Sequence, residues 1–268
     1  MAANRLPTYF ISHGGGPWPW MKEELGGAYD RLEAALARMP ADIGTTPKAV
    51  LMLSAHWEAP EFTLQTSPHP GMLYDYGGFP DFTYRITYAA PGAPDVAARV
   101  AELLRASDIA VREDAERGFD HGMFAPMAVI YPKADVPVLQ LSLKRGLDPH
   151  AHLALGRALA PLRDEGVLIV GSGLSYHNLR AFGPAARAPS AAFDAWLDET
   201  LAIADAPARA AALAGWERAP AARLAHPREE HLLPLMVALG AAEGDAATRV
   251  YHEREFFGGI TVSSYRFG

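Results

Sequence analysis

Cysteine is absent from the 268 residues, which excludes disulfides, thiolate metal sites and a catalytic thiol together. Any metal held by this chain must bind through nitrogen and oxygen. A basic excess is missing as well. Lysine and arginine total 24 against 31 aspartates and glutamates, for a net charge of −7, so the chain offers no electrostatic footprint for nucleic acid. No apolar run approaches the roughly 20 residues of a membrane-crossing helix, and the sequence therefore implies no membrane span. The opening stretch MAANRLPTYFISHGGG is broken by Pro7 and His13 before it could form a secretory h-region, which predicts a mature cytoplasmic start. Half of the chain is apolar, enough to bury one core, and the simplest reading is a single α/β domain over residues 1–268.

Four apolar, β-branched or aromatic runs read as strands: Thr8–Ser12, Ala49–Ala55, Val136–Leu143 and Val167–Gly171. They are continuously hydrophobic rather than alternating, as expected of strands covered on both faces in a mostly parallel or mixed sheet flanked by helices. Thr261–Phe267 alternates and is expected to close the chain as an edge strand. Ala-rich segments with helical spacing, Ala28–Met39, Asp95–Ser107, Pro149–Glu165 and Ala191–Ala204, supply the flanking layers. Ser67–Ala93 is different, being rich in Gly, Pro and Tyr, and reads as a packed long loop of the kind that forms lids or pocket walls.

The positions of the ten histidines matter more than their number. His13 follows Tyr9-Phe10-Ile11-Ser12, His56 follows Leu51-Met52-Leu53-Ser54-Ala55, and His177 lies beyond Val167–Gly173. Each sits where a buried strand emerges, and ligands of open α/β sheets bind outside the carboxyl ends of the strands. Any one of them alone reads equally well as a half-buried side chain bonded to a loop; three arriving at one crevice point to a site. Neutral imidazoles suit iron, zinc, manganese or copper, with iron and zinc leading where thiolates are missing.

His231 precedes a helical pattern that runs through Leu239 with Pro234 in its first turn. There the helix dipole disfavours protonated imidazole and leaves the neutral ring that a metal needs. Glu229 and Glu230 compete as ligands or as acidic residues of a first turn. Neighbouring helical residues point about 100° apart, so Glu230 and His231 are expected not to share one ion. His121, in Gly118-Phe119-Asp120-His121-Gly122, is a candidate for close ligand approach with Asp120 as its orienting carboxylate; an Asx-type turn carrying an incidental histidine is the plainer account. Trp18 and Trp20 beside His13, and Tyr74, Tyr76, Phe79 and Tyr84 of the long loop, are candidate pocket walls or simple loop anchors. Lys144 and Arg145 could meet a substrate carboxylate, though a solvated basic pair is the simpler reading. His69, His150, His152, His226 and His252 read as surface or structural residues.

Taken in order, Ile11-Ser-His-Gly-Gly-Gly, Leu53-Ser-Ala-His-Trp, Tyr74-Asp-Tyr-Gly-Gly-Phe-Pro, Gly118-Phe-Asp-His-Gly, Val136-Pro-Val-Leu-Gln-Leu-Ser-Leu, Gly171-Ser-Gly-Leu-Ser-Tyr-His-Asn-Leu and Glu230-His-Leu-Leu-Pro-Leu resemble the class III extradiol ring-cleaving dioxygenases. Within them the likeness is to the DOPA-dioxygenase branch of the LigAB-type (LigB) superfamily. The resemblance implies Fe(II) held by His13, His56 and a third ligand, with His177 as acid–base residue and His121 near the substrate oxygens. Relatives can also be recovered with zinc. It favours His231 as third ligand, keeps Glu230 in competition and leaves His177 open as a fourth. The implied partners are a catechol-type aromatic diol and O₂, and homo-oligomerisation is left open. Such chemistry needs about three open metal positions, two for the diol and one for O₂, which three protein ligands provide. It also needs a histidine that titrates near neutrality to take a substrate proton and return it.

Other functions use parts of the same pattern. His13-Gly-Gly-Gly is similar to the oxyanion turn of some esterases, but a serine hydrolase needs G-x-S-x-G, which the sequence lacks. A zinc hydrolase would use the same histidines to activate water. A catalytically idle metal-binding or small-molecule-binding domain would also keep the ligand set.

Overall fold

The computed structural model describes residues 5–268, so residues 1–4 of the predicted cytoplasmic start lie outside the described residues. In chain order the strands are β1 (Thr8–Ser12), β2 (Ala49–Ala59), β3 (Phe62–Gln65), β4 (Val111–Asp114), β5 (Val138–Lys144), β6 (Val167–Gly173), β7 (Ala247–Phe256) and β8 (Ile260–Phe267). The helices are α1 (Asp30–Ile43), α2 (Pro94–Ala106), α3 (His121–Ile130), α4 (Pro149–Leu159), α5 (Arg187–Leu201), α6 (Ala206–Ala214), α7 (Ala222–Ala225) and α8 (Leu233–Ala241). The four continuously apolar runs become the parallel centre, β5-β2-β6-β1, of an eight-stranded sheet ordered β4-β3-β5-β2-β6-β1-β8-β7. Antiparallel joins to β3 on one side and β8 on the other make the sheet mixed.

Period-two alternation along β2 sends successive side chains to opposite layers. Leu51 and Leu53 pack with Val96, Val100 and Leu104 of α2 and with Leu155 and Leu159 of α4. Val50 and Met52 join the other core with Leu32 and Leu36 of α1 and Met123 and Met127 of α3. Every residue of α8 is buried, as expected of a helix that is hydrophobic all round.

Several sequence expectations need correction. The alternating C-terminal strand is not the edge: β8 is enclosed between β1 and β7, and β7 forms the edge. β7 carries no continuous apolar signal because Thr248, Arg249, Arg254 and Glu255 give it a polar surface. β3 and β4 are four-residue strands with little apolar signal of their own. The helix expected over Pro149–Glu165 ends at Leu159 and tightens into a 3-10 turn over Ala160–Arg163, where Pro161 has no N–H with which to continue the ladder. α1 runs on through Pro40 to Ile43, whose buried side chain extends its apolar stripe.

Candidate active site

Five histidines from five separate elements meet at one end of the sheet. His13 directly follows β1 and donates its backbone N–H to the Gly173 carbonyl at 3.1 Å. His56 lies inside β2, not beyond it, where the register against β5 slips between Leu53 and Glu58; such an irregularity takes a side chain out of the regular ladder. His121 is the first residue of α3. His177 lies just past β6, with its backbone N–H on the Ala225 carbonyl at 2.9 Å. His231 occupies the turn before α8, and its carbonyl accepts from Leu174 N–H at 3.1 Å. That contact is possible because residue 173 is glycine, since a Cβ there would run into the His231 carbonyl.

Ring centroids of His13 and His56 lie 4.9 Å apart, His13 and His231 5.2 Å, His56 and His231 4.9 Å, and His56 and His121 3.9 Å. His177 stacks on His231 at 3.3 Å. The rings wall a cavity of about 300 Å³, completed by Gly14, Gly15, Gly16, Tyr29, Leu174, Leu179, Phe182 and Phe256.

Each of the five rings has its Nδ1 engaged on the side away from its Nε2. His13 Nδ1 lies 3.0 Å from Ser172 Oγ, and Ser172 commits its own proton to the Gly122 carbonyl. His13 must therefore donate from Nδ1, which leaves Nε2 bare. His56 Nδ1 is 3.3 Å from Asp75 Oδ2, and His121 Nδ1 is 2.9 Å from Asp75 Oδ1. His231 and His177 place Nδ1 at 2.9 and 3.1 Å from Glu230 Oε1. The Nε2 atoms of His13 and His56 face each other at 3.1 Å. With both protons on Nδ1 the two lone pairs repel unless a cation lies between them; without a cation, His56 can donate Nε2–H to the bare Nε2 of His13. Their separation is also that of adjacent nitrogens each about 2.1 Å from one ion. The donor set thus fits a divalent metal. One ligand atom from each of His13, His56 and His121 forms a group within 4.8 Å, and one from each of His177, Glu230 and His231 forms another.

Electrostatics keep His13, His56 and His231 neutral. Burial first, then the neighbouring imidazoles, hold His13 and His231 well below the usual histidine value of 6.5. His56 is pushed down to about 4, again chiefly by burial, although Asp120 and Asp75 oppose the shift. Neutral imidazole is the ligating form. Burial acts to raise both carboxyls, but Asp75 is held below its usual value by the hydrogen bond from His121, and Glu230 by that from His177.

Asp120 does not orient His121, contrary to the sequence expectation. It is fully buried and accepts from Ser54 Oγ at 2.6 Å, Gln140 Nε2 at 2.8 Å and Arg117 Nη2 at 3.0 Å. Asp75 takes that position instead, accepting both the His121 ring proton and its backbone N–H at 2.9 Å. Glu230 and His231 share a turn rather than a helix, and the carboxylate folds back onto its neighbour's Nδ1. The candidate wall residues Trp18, Tyr74 and Tyr76 lie outside the cavity lining. Trp18 is buried, stacks on Tyr29 at 4.8 Å and donates Nε1–H to the His13 carbonyl at 2.7 Å. Tyr74 and Tyr76 donate to the Ile86 and Thr83 carbonyls at 2.6 and 2.8 Å, which folds the loop that carries Asp75. Gly16 has φ +54°, and a Cβ on it would meet Phe79 of the same loop at 2.7 Å.

Asp75, Ser172, Leu174, Phe182 and Phe256 were not singled out from the sequence. Asp75 and Ser172 were within reach, since each lies in a motif that carries the family resemblance; no spacing rule points to Phe256.

Residues 8–268 match the family described as the catalytic LigB subunit of aromatic ring-opening dioxygenase. A 4,5-DOPA dioxygenase extradiol of Beta vulgaris is 39% identical, covering 98% of this chain and 97% of its own length. A dioxygenase of Hapsidospora irregularis is 35% identical over 98% of this chain and 85% of its own. Among solved structures, an uncharacterized protein of Escherichia coli K12 superposes with a TM-score of 0.78 at 28% identity, covering 98% of this chain and all of the other. The chain therefore belongs to the LigB family of aromatic ring-opening dioxygenases, the extradiol enzymes that its motifs resemble.

Proposed function

We propose that the protein is an Fe(II)-dependent extradiol dioxygenase. It would use O₂ to open the ring of a catechol-type diol, both oxygen atoms entering a ring-opened semialdehyde acid. In this reading residues 8–268 act as one catalytic domain. His13, His56 and His231 hold the metal, His177 is the acid–base residue, and His121 stands beside the substrate oxygens. The observation that carries it is the set of five imidazoles with Nδ1 tied outward, two of them presenting Nε2 to each other at 3.1 Å.

Iron, when bound, supplies a Lewis-acidic seat for the diol oxygens and the electron transfer that O₂ needs; zinc fits the same nitrogens but has no redox chemistry. The protein's own part is orientation, proton transfer and exclusion of water. Tyr29, Leu174, Phe182 and Phe256 offer an aromatic ring an apolar seat beside the imidazoles. His177, half-exposed and hydrogen-bonded at Nδ1 to Glu230, has Nε2 free to take a hydroxyl proton and return it later. His121, braced by Asp75, has Nε2 free to hydrogen-bond a substrate oxygen.

A second ligand set is favoured by one observation: His121 groups with His13 and His56 within 4.8 Å, which would leave His231 and His177 to handle protons. Metal analysis of His121→Ala and His231→Ala separates the two, because the true ligand is the one whose loss empties the site.

The test of function is anaerobic reconstitution of metal-free protein with Fe(II), followed by air and a panel of catechols, recording O₂ uptake and the yellow ring-opened product. His177→Ala is expected to retain metal while losing about 10²–10⁴-fold in turnover. Near-normal turnover in that variant overturns its acid–base role. Absence of O₂ uptake with every catechol favours a zinc hydrolase or a metal-binding domain without turnover.

A further inference from the structure

We infer that Asp75 and Glu230 are paired positioning residues: Asp75 accepts Nδ1–H from His121 and faces the Nδ1 of His56, Glu230 accepts at Oε1 from His177 and His231, and each so favours Nε2 as the working nitrogen of its two rings. The role labels rest on the functional reading above, whereas the pairing itself is a matter of side-chain geometry.

A neutral imidazole carries one proton, and an untethered ring is free to place it on either nitrogen. A ligand that holds the proton on Nε2 cannot bind through that atom, and a base protonated there cannot accept. An anionic acceptor at Nδ1 removes the ambiguity and makes the opposite nitrogen more basic. Both carboxylates are placed for this. Asp75 spreads its two oxygens over two rings, while Glu230 directs Oε1 at both of its rings, with Arg228 3.5 Å from Oε2.

The same geometry bears on the competition between Glu230 and His231. The two nitrogens of an imidazole point in diverging directions, so an oxygen 2.9 Å from His231 Nδ1 stands away from an ion bound at Nε2. Glu230 braces the ligand and is not itself one. Asp75 belongs to the long tyrosine-rich loop, which reaches the site through this carboxylate and through the ring of Tyr76, 5.9 Å from that of His121.

The experiment uses metal-free protein labelled with ¹⁵N-histidine, with long-range proton–nitrogen correlation slightly above neutral pH, which reports the tautomer of each ring. The wild-type protein is expected to show His121, His177 and His231 protonated at Nδ1, while in the metal-free protein His56 shares its Nε2–H with the bare Nε2 of His13. An alanine offers neither ring an acceptor. Asp75→Ala should therefore release His121 to populate the Nε2–H form and leave His177 and His231 alone. Glu230→Ala should release His177 and His231 and leave His121 alone. In Co(II) titrations followed by absorbance, each variant is expected to bind about 10–100-fold more weakly.

Nε2–H tautomers at His121, His177 or His231 in the wild-type spectrum overturn the inference, and that measurement stands even where a variant fails to fold. Variants that leave all tautomers in place, or disturb all rings alike, overturn it too. Glu230→Ala that abolishes Co(II) binding with the tautomers of His177 and His231 intact makes Glu230 a ligand. Because no substrate is involved, a protein with the expected tautomers and no ring cleavage defeats the catalytic reading alone.

Discussion

His13 is held from behind by an indole. Trp18 Nε1 donates to its carbonyl at 2.7 Å, while Ser172 takes its Nδ1 proton. Trp18→Phe can keep the stack on Tyr29 but strips the buried carbonyl of its partner, at a cost of about 1–3 kcal/mol. A lower urea midpoint in metal-free protein and weaker Co(II) binding are the expected results; unchanged values for both would mean that the indole does not position His13. The imidazoles were legible in the sequence because histidine is conspicuous at the end of a buried apolar run. Their braces were not. Ser172 passes for a small residue of β6, and Asp75 lies among turn residues with nothing in its spacing to link it to His56 or His121. An aromatic near a histidine in sequence carries no sign of which way it faces: Trp18 turns back toward the His13 backbone, and Tyr74 and Tyr76 spend their hydroxyls inside their own loop.

Helices α4 and α8 pack backbone to backbone, and two glycines allow it. A Cβ on Gly156 would meet the Gly240 Cα at 2.8 Å and also strike the Val237 carbonyl, while one on Gly240 would strike the Leu153 carbonyl. Gly240→Ala should therefore force the helices apart, costing about 1–3 kcal/mol and lowering the urea midpoint with little change in slope. α8 begins just after His231, so the same variant should weaken metal binding without touching a ligand. Parent-like stability and affinity would show that the crossing can relax. The central strands and α8 announce themselves by unbroken apolar runs, whereas β7 and β8 depend on each other. The alternation of β8 fits an edge strand, and only pairing with the polar β7 encloses it. Pairing between strands distant in the chain leaves no local trace, and for that reason the sheet order was not readable.

Across the whole molecule, neutral buried imidazoles couple stability to pH. His13 and His231 titrate well below 6.5, His56 and His152 at about 4 and His226 at about 3, all chiefly because burial disfavours the charged ring. Above 6.5 these rings are neutral in both folded and unfolded chains and add no pH dependence. Below it the unfolded chain binds protons that the folded protein refuses, so stability falls with acidification by up to about 1.4 kcal/mol per pH unit for each such ring. The loss should run from about pH 6.5 to about pH 4 for His56 and His152 and somewhat lower for His226. Urea midpoints of metal-free protein should therefore hold steady above neutrality and drop steeply through that window. His152 lies away from the site, with Nδ1 on the Asp148 carbonyl at 2.8 Å; His152→Gln should remove its share of the slope and leave Co(II) binding intact. Metal bound to the folded protein adds stability in proportion to its affinity, and protons compete for the same nitrogens. The stabilisation by metal should thus hold steady down to about pH 5 and shrink only as the folded rings themselves take up protons, near pH 4 for His56. A metal increment that already falls between pH 8 and pH 6 would mean that the ion is held by groups titrating near neutrality and not by these buried imidazoles.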